Sequence, residues 1–433
     1  MKKEKKFEVH KKINGPKWFL RPIEMVGAWI FAGPFGTRTK IKKINCENLE
    51  GPYIILSNHA SFVDFANVIV SGYTKKYCWV TSIEEFNGRE WLLRGVGCIP
   101  KRKFTKDTIL IRNCYKALHQ LKCNVVIYPE ARFSLAGINE DIGTALGKLV
   151  KMADVPVVVL NQNGHFIRSP QWCKHPVRRF KMDATFTCVA NQEEVRALSA
   201  SEIQERIEKA FVYDDYKWQL DNKIEIKTKK RAQNIHKILY QCPHCKKEFF
   251  MNSKDTKVWC ENCGKEWEMN YYGQLHCLNG EDVFTHVPDW YRWERQNVKE
   301  EVRSGNYYFE DKIRLEELIN SKVKFLDKGT INLVHDYNGF TLQGIVDGKE
   351  FYLNKPIESM ASVHIEYDFK KRGDAIDIAT MEDTWFVYPL THPNPLTKLH
   401  FAVEELHKFK KENIEEFNKI FKKKEEFDEN KKN

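Results

Sequence analysis

Between residues 52 and about 190 the chain repeats one rhythm: a short apolar run, a polar joint, then apolar residues every third or fourth position. The runs "PYIILS" (52–57), "YCWVTS" (77–82), "CNVVIYP" (123–129) and "VPVVVLN" (155–161) are brief and rich in β-branched and aromatic residues, the pattern of buried strands. "TKDTILIRNCYKALHQL" (105–121) instead sets Ile111, Cys114, Tyr115, Leu118 and Leu121 on one helical face. Strands alternating with helices predict an α/β layer around a mostly parallel central sheet. "RRFKMDATFTCV" (178–189) alternates as a half-buried strand near a sheet edge does, and "SASEIQERIEKAF" (199–211) reads as a capped helix.

The second half changes character. Residues 214–239 are charged and read as a linker, and 240–272 hold two cysteine pairs. From about 320 the chain becomes short strands broken by "DKG", "YNG", "VDGK" and "KKRGD". The helix "NPLTKLHFAVEELHKFKK" (394–411) closes it, with Leu396, Leu399, Val403, Leu406 and Phe409 at helical spacing. This β-rich module, 320–412, resembles a pleckstrin-homology module in pattern, and 413–433 form a charged tail.

At the other end, "WFLRPIEMVGAWIFAGPFG" (18–36) is too interrupted to span a bilayer: Arg21 and Glu24 break it, and Gly33-Pro34 end it. Trp18, Phe19, Trp29 and Phe31 beside a Lys-rich start suit a helix lying in the membrane interface over residues 1–40. A core helix of the first domain is the competing reading. No apolar core or cleavage site follows "MKKEKKFEVHKKINGPK", so no signal peptide is expected.

Composition narrows the partners. The 433 residues are 42% hydrophobic and 30% charged, ordinary for a globular chain, and the net charge of +11 points to an anionic partner. The 12 cysteines show no dense disulfide framework, which suits a reducing, intracellular setting.

The candidate chemistry starts at "ILSNHASFVDFANVIV" (55–70), where Asn58, His59, Ser61 and Asp64 stand at the joint of a strand and a helix. "SFVD" has the form of a capping box. A His in the loop and an Asp in the first turn can also meet, the carboxylate fixing the tautomer and leaving the other ring nitrogen as a general base. "NVVIYPEARFS" (124–134) carries a strand into Glu130 and Arg132, and "GVGCIPKRKF" (95–104) ends in Lys101, Arg102 and Lys103. That cationic cluster suits phosphate binding. His165, Arg168, Lys174, His175, Arg178 and Arg179 form a further basic stretch, read as a solvated face, with a site for the phosphates of an acyl donor as the alternative.

Together these residues resemble the lysophosphatidic acid acyltransferase family of membrane-associated glycerolipid acyltransferases, over roughly residues 18–190. Its Asn-His-x-x-x-x-Asp motif is matched at Asn58, His59 and Asp64. The Arg closing its second motif is matched by Arg102, its Phe-Pro-Glu-Gly-Thr-Arg-Ser loosely by "YPEARFS", and its Val-Pro strand around Pro156. In "YPEARFS" the family's Gly is Ala131 and Phe133 stands where its Arg would be. "TSIEEF" lacks the Lys that family members often carry after the second strand. The resemblance implies a glycerolipid-acyltransferase-like αβ domain over 41–213, with His59 and Asp64 catalytic and Asn58, Arg102, Glu130 and Arg132 binding substrate. The implied reaction moves an acyl chain from acyl-CoA or acyl carrier protein to the free hydroxyl of a lysophospholipid, 1-acyl-sn-glycerol 3-phosphate first. It would run at an anionic membrane surface on the cytoplasmic face, with the protein peripheral or monotopic.

"CPHC" (242–245) and "CENCG" (260–264) place Cys242, Cys245, Cys260 and Cys263 in two knuckles, the spacing of a four-cysteine zinc ribbon with a structural zinc. Trp259 and Trp267 supply apolar bulk, and His276 and Cys277 stand outside the ligand set. A zinc-ribbon nucleic-acid-binding protein is the alternative reading. Against it, basic residues are dispersed among nearly as many acids with no aromatic–basic recognition motif, so no nucleic acid is expected. An esterase would need a Gly-x-Ser-x-Gly elbow, and the chain has none.

Overall fold

The computed structural model describes residues 12–32, 39–47, 49–61, 63–72, 74–103, 108–173, 181–319, 325–380 and 383–421. They form two compact units, the first built on residues 1–231 and the second on most of the remainder.

The first unit opens with α1 (Arg21–Ala32), β1 (Lys40–Ile44), β2 (Ile54–Ser57), α2 (Asp64–Ser71), β3 (Tyr77–Ser82), α3 (Glu90–Gly95), β4 (Cys98–Lys101) and α4 (Thr108–His119). It continues through β5 (Asn124–Ile127), α5 (Leu146–Ala153), β6 (Val157–Asn163), α6 (His165–Arg168), β7 (Asp183–Ala190), α7 (Gln192–Ala197), α8 (Ala200–Ala210) and α9 (Asp215–Asp221). The strands make one sheet in the order β1-β7-β6-β2-β5-β3-β4. All neighbours are parallel except β6 and β7. The central strand β2 is buried along its whole length, with a core on each face of the sheet. Continuous apolar runs such as "VVVL" are what a strand covered on both sides requires. β7 lies next to the edge and alternates half-buried with buried residues, and Ser199 caps α8 with Glu202 returning the bond.

Two expectations need correction. The buried face of α4 is Asn113, Cys114, Ala117 and Leu118, while Ile111 and Tyr115 are exposed. The "linker" 214–239 is structured: Asp215 accepts the Phe166 N–H at 2.9 Å, and Tyr216, Ala232, Ile235, Ile238 and Leu239 are buried. α1 shows features of both readings offered for it. Ala28 and Ala32 join the core, and Ile23, Val26, Trp29, Ile30 and Phe31 on the same helix are exposed, as are Trp18 and Phe19 before it. No described helix is long and apolar enough to cross a membrane. The Lys-rich start (1–11), Gly33-Pro34 and most of the charged tail (422–433) lie outside the described residues.

The second unit contains β8 (Met251–Lys254), β9 (Lys257–Cys260), β10 (Glu266–Met269) and β11 (Leu275–Cys277), a four-stranded antiparallel ribbon. Next come α10 (Val287–Arg303), β12 (Phe309–Leu318), β13 (Leu326–Asp336), β14 (Gly339–Val346), β15 (Lys349–Lys355), β16 (His364–Glu366), β17 (Ala375–Ala379), β18 (Thr384–Pro389) and α11 (Leu396–Glu412). Strands β12–β18 form an antiparallel sheet ordered β15-β14-β13-β12-β18-β17-β16. The strands-then-helix order is as expected, but the sheet begins at Phe309, before residue 320. Trp267, fully buried, meets Trp290 of α10 with ring centroids 5.0 Å apart, and Trp290 Nε1 donates to the Gln241 carbonyl at 2.9 Å. Trp259 is only half-buried.

Candidate active site

β2 delivers Asn58 and His59 to the carboxyl end of the sheet, where open α/β folds assemble sites. Asn58 is buried and its amide exchanges two bonds with the Gln162 backbone: Nδ2 donates to the carbonyl at 3.0 Å, and Oδ1 accepts the N–H at 2.8 Å. That pair pins the loop after β2 to β6. On the other side, the His59 carbonyl accepts the Ser134 N–H at 2.7 Å from the loop after β5. The His59 ring lies between Tyr128, stacked at 4.0 Å, and Phe133 at 4.1 Å. Its orientation is therefore fixed by both strand-end loops.

His59 Nδ1 is 2.9 Å from Asp64 Oδ2, and the His side chain keeps 22% of its surface exposed against 1% for Asp64. Oδ2 also accepts the N–H groups of Ala60 at 2.7 Å and Ser61 at 2.9 Å. Oδ1 takes the Ser61 hydroxyl at 2.9 Å and His165 Nδ1 at 2.5 Å. Burial alone would raise the Asp64 carboxyl, yet the hydrogen bonds it accepts, from His165 and His59 above all, hold it well below the usual carboxylate range. It is a permanent anion. The imidazole nitrogen of His59 that does not face Asp64 is left for chemistry.

The capping-box reading is half right. Asp64 does accept the Ser61 N–H, but the Ser61 hydroxyl donates to the Asp64 carboxylate and caps no amide. The N-cap position of α2 is Val63, which makes no side-chain cap bond.

The loop after β5 behaves differently. Glu130 is buried and bonded to internal partners: the Tyr213 hydroxyl donates at 3.0 Å to each oxygen, and the Glu140 N–H donates at 3.0 Å. Burial pushes this carboxyl up to about 7, against the Glu140 amide and the Arg132 charge. Arg132 is also buried and forms an ion pair with Glu140 at 2.6 Å. Ala131, at the family's Gly position, has φ +54°, the left-handed conformation that favours glycine. Arg102 follows β4 at the sheet edge and is buried. β4 lies three strand spacings from β2, about 14 Å.

His165 was read as part of a solvated basic face; it is fully buried and holds Asp64. Arg168 is half-buried, and Lys174, His175, Arg178 and Arg179 lie outside the described residues. Sequence reasoning also missed Asn67, Gln162 and Tyr213. The available signal for His165 was its place directly after β6, the strand beside β2, where loop residues of adjacent strands converge.

In the second unit, Cys242, Cys245, Cys260 and Cys263 place their sulfurs within 4.8 Å of one another. Cys242–Cys263 and Cys245–Cys260 are each 3.7 Å apart. A tetrahedron with metal–sulfur bonds of about 2.3 Å has edges of about 3.8 Å, so the donor set fits zinc. Backbone amides of His244 and Cys245 face the Cys242 sulfur, and those of Asn262 and Cys263 face Cys260, as thiolates need. His276 is bonded to Asp282 and stands outside this cluster, as does Cys277.

Residues 38–161 match the model of the Acyltransferase family, a segment that includes His59, Asp64, Arg102 and Glu130. This segment, under a third of the chain, is similar to the acyltransferase domains that the family model describes. Among solved structures, the chain is similar to the 1-acyl-sn-glycerophosphate (LPA) acyltransferase PlsC from Thermotoga maritima. The identity is 16% and the TM-score 0.36, over 44% of this chain and 76% of that one. No curated protein sequence matches the chain.

Proposed function

We propose that this protein acylates a lysophospholipid hydroxyl with an acyl thioester carried by coenzyme A or acyl carrier protein, 1-acyl-sn-glycerol 3-phosphate being the first acceptor. The observation that carries the reading is the His59–Asp64 pair, 2.9 Å apart at the end of a central parallel strand inside the matched segment. His59 takes the hydroxyl proton as the oxygen forms its bond to the thioester carbon. The C–S bond then breaks, and the proton returns to the leaving thiolate. The thioester is already activated, so no covalent enzyme intermediate is required. A positioned base accounts for about 10²–10⁴-fold of the rate. Arg102, at the end of the second motif, is the phosphate ligand in this reading. The deciding assay offers the full chain a panel of lysolipids with both thioester classes. Failure with every pair would sink the reading.

The reading has two further parts. The four cysteines hold one structural zinc, which closes the ribbon and leaves no position for substrate. Metal analysis should return about one zinc per chain, and Cys260→Ser should lose it. The exposed apolar side of α1, with Trp29 and Phe31, lies on an anionic membrane surface, the cytoplasmic leaflet being the natural candidate for a chain of +11 charge. Joint replacement of Trp29 and Phe31 by Ser should weaken binding to anionic vesicles; unchanged binding would move the contact elsewhere. The likeness of the C-terminal module to a pleckstrin-homology domain is tested by an experimental structure of that unit.

A further inference from the structure

Asp64 has two histidines, one on each oxygen, and only one of them reaches the surface. His59 is at 2.9 Å from Oδ2 and partly exposed; His165 is at 2.5 Å from Oδ1 and fully buried. A buried second histidine beside a permanent anion calls for an explanation, because a neutral core would be cheaper to build.

The partners of the other His165 nitrogen point to its protonation state. Asn67 Nδ2 is 2.7 Å from His165 Nε2 and 2.7 Å from Gln162 Oε1. Gln162 is oriented in turn, because its Nε2 donates to Ser57 Oγ at 2.9 Å and Ser57 Oγ donates to the Leu160 carbonyl at 2.9 Å. With Gln162 Oε1 facing Asn67, the Asn67 group at this point is the amide nitrogen, which has only protons to offer. His165 Nε2 must then accept, so the ring is neutral and its single proton sits on Nδ1, aimed at Asp64. A charged His165 would set an N–H against the Asn67 NH2.

Building on the acyl-transfer reading above, we infer that His165 is a positioning residue: as a neutral donor locked by Asn67 and Gln162, it holds one oxygen of Asp64 so that the other stays aimed at His59. A neutral clamp has a chemical advantage over a cation. It fixes the carboxylate without cancelling its charge, which remains available to the imidazolium that forms on His59. The other titratable groups facing this cluster are Tyr128, stacked on His59, and Asp215 on α9, which accepts the Phe166 N–H next to His165. Burial pushes the Asp215 carboxyl up to about 7, so an Asp215→Asn background removes its titration from the measurement.

Two measurements test the inference. Nitrogen-15 spectra of histidine-labelled full-length protein should show His165 neutral with its proton on Nδ1; an Nε2–H tautomer or an imidazolium overturns the proposal, whatever the activity. Kinetics then compare His165→Leu with His165→Asn, whose amide nitrogen can replace the Nδ1 donor. The Leu variant should lose about tenfold or more in kcat with acceptor KM little changed, and the acid limb of its rate profile should move. That limb moves because both the charge that Asp64 presents to His59 and its aim depend on the donor at its other oxygen. The Asn variant should recover most of the turnover and restore the limb. Unchanged kcat and pH profile in a folded Leu variant, or an Asn variant no better than Leu, overturns the positioning role. If Leu does not fold, the tautomer and the Asn profile still decide. Absence of acyl transfer in the wild type would remove the functional reading while leaving the tautomer test standing.

Discussion

The loops that leave β2 and β5 each send a carboxylate into the interior of the same unit, and the two end in opposite states. Asp64 is held well below the usual range, while Glu130 is pushed up to about 7. Burial raises both, so burial does not explain the difference. Asp64 receives two backbone amides, a hydroxyl and two imidazoles. Glu130 receives one phenol and one amide, and its nearest cation, Arg132, is paired with Glu140. Donor number and charge decide which buried carboxylate is a standing anion. In the proposed reaction, such an anion is what steadies the cation formed on His59.

Replacing His59 with Ala should break the first side of this comparison most severely. Turnover should fall by about 10²–10⁴-fold or more, with the circular dichroism spectrum and melting curve close to wild type. Near-wild-type acylation by a folded variant would return the loop to a purely structural role. Asp64→Asn should follow, losing about 10²-fold in turnover and, unlike a simple cap change, about 2–4 kcal/mol of stability, because a buried hub loses its charge. A loss of about 1 kcal/mol or less in denaturant unfolding would fit capping instead. The sign for wild type follows from the depressed carboxyl. Its contribution is complete above the unfolded value near 3.8 and is lost as pH falls below it.

Glu130→Gln probes the other side. A raised carboxyl works in reverse: the fold prefers the protonated form, so stability falls as pH rises from about 4.5 through about 7. The neutral amide should therefore be more stable than wild type at pH 8, by on the order of 3 kcal/mol at most, with the gap closing toward pH 5. Urea midpoints at the two pH values measure it. Acceptor KM should stay within about twofold if Glu130 acts only through Tyr213; a tenfold rise would put Glu130 in the acceptor site. The smallest effect belongs to Ala131→Gly. Relief of the left-handed strain, about 1–2 kcal/mol, is partly offset by the flexibility of glycine when unfolded, leaving a gain of about 0.5 kcal/mol. A lower melting temperature would show that the Ala131 methyl is used in packing.

Local pattern determined a good deal of this protein. Short β-branched runs marked the strands around the site, because a strand buried on both faces must be apolar throughout. His59 and Asp64 were legible together because five residues across a strand–helix joint let them meet, and the two cysteine knuckles because metal spacing is itself a sequence feature. The tertiary structure decided the rest. His165 lies 101 residues beyond Asp64, and only the placement of β6 beside β2 brings its ring to the carboxylate. Glu130 and Arg132 read as open polar groups until Tyr213 and Glu140 came in from distant segments to bury them. The same holds for the ribbon, which looked independent until Trp290 covered Trp267. Sequence shows what a residue can donate, accept or bury; which partner it meets depends on strand order, and strand order is set by the packing of the whole sheet.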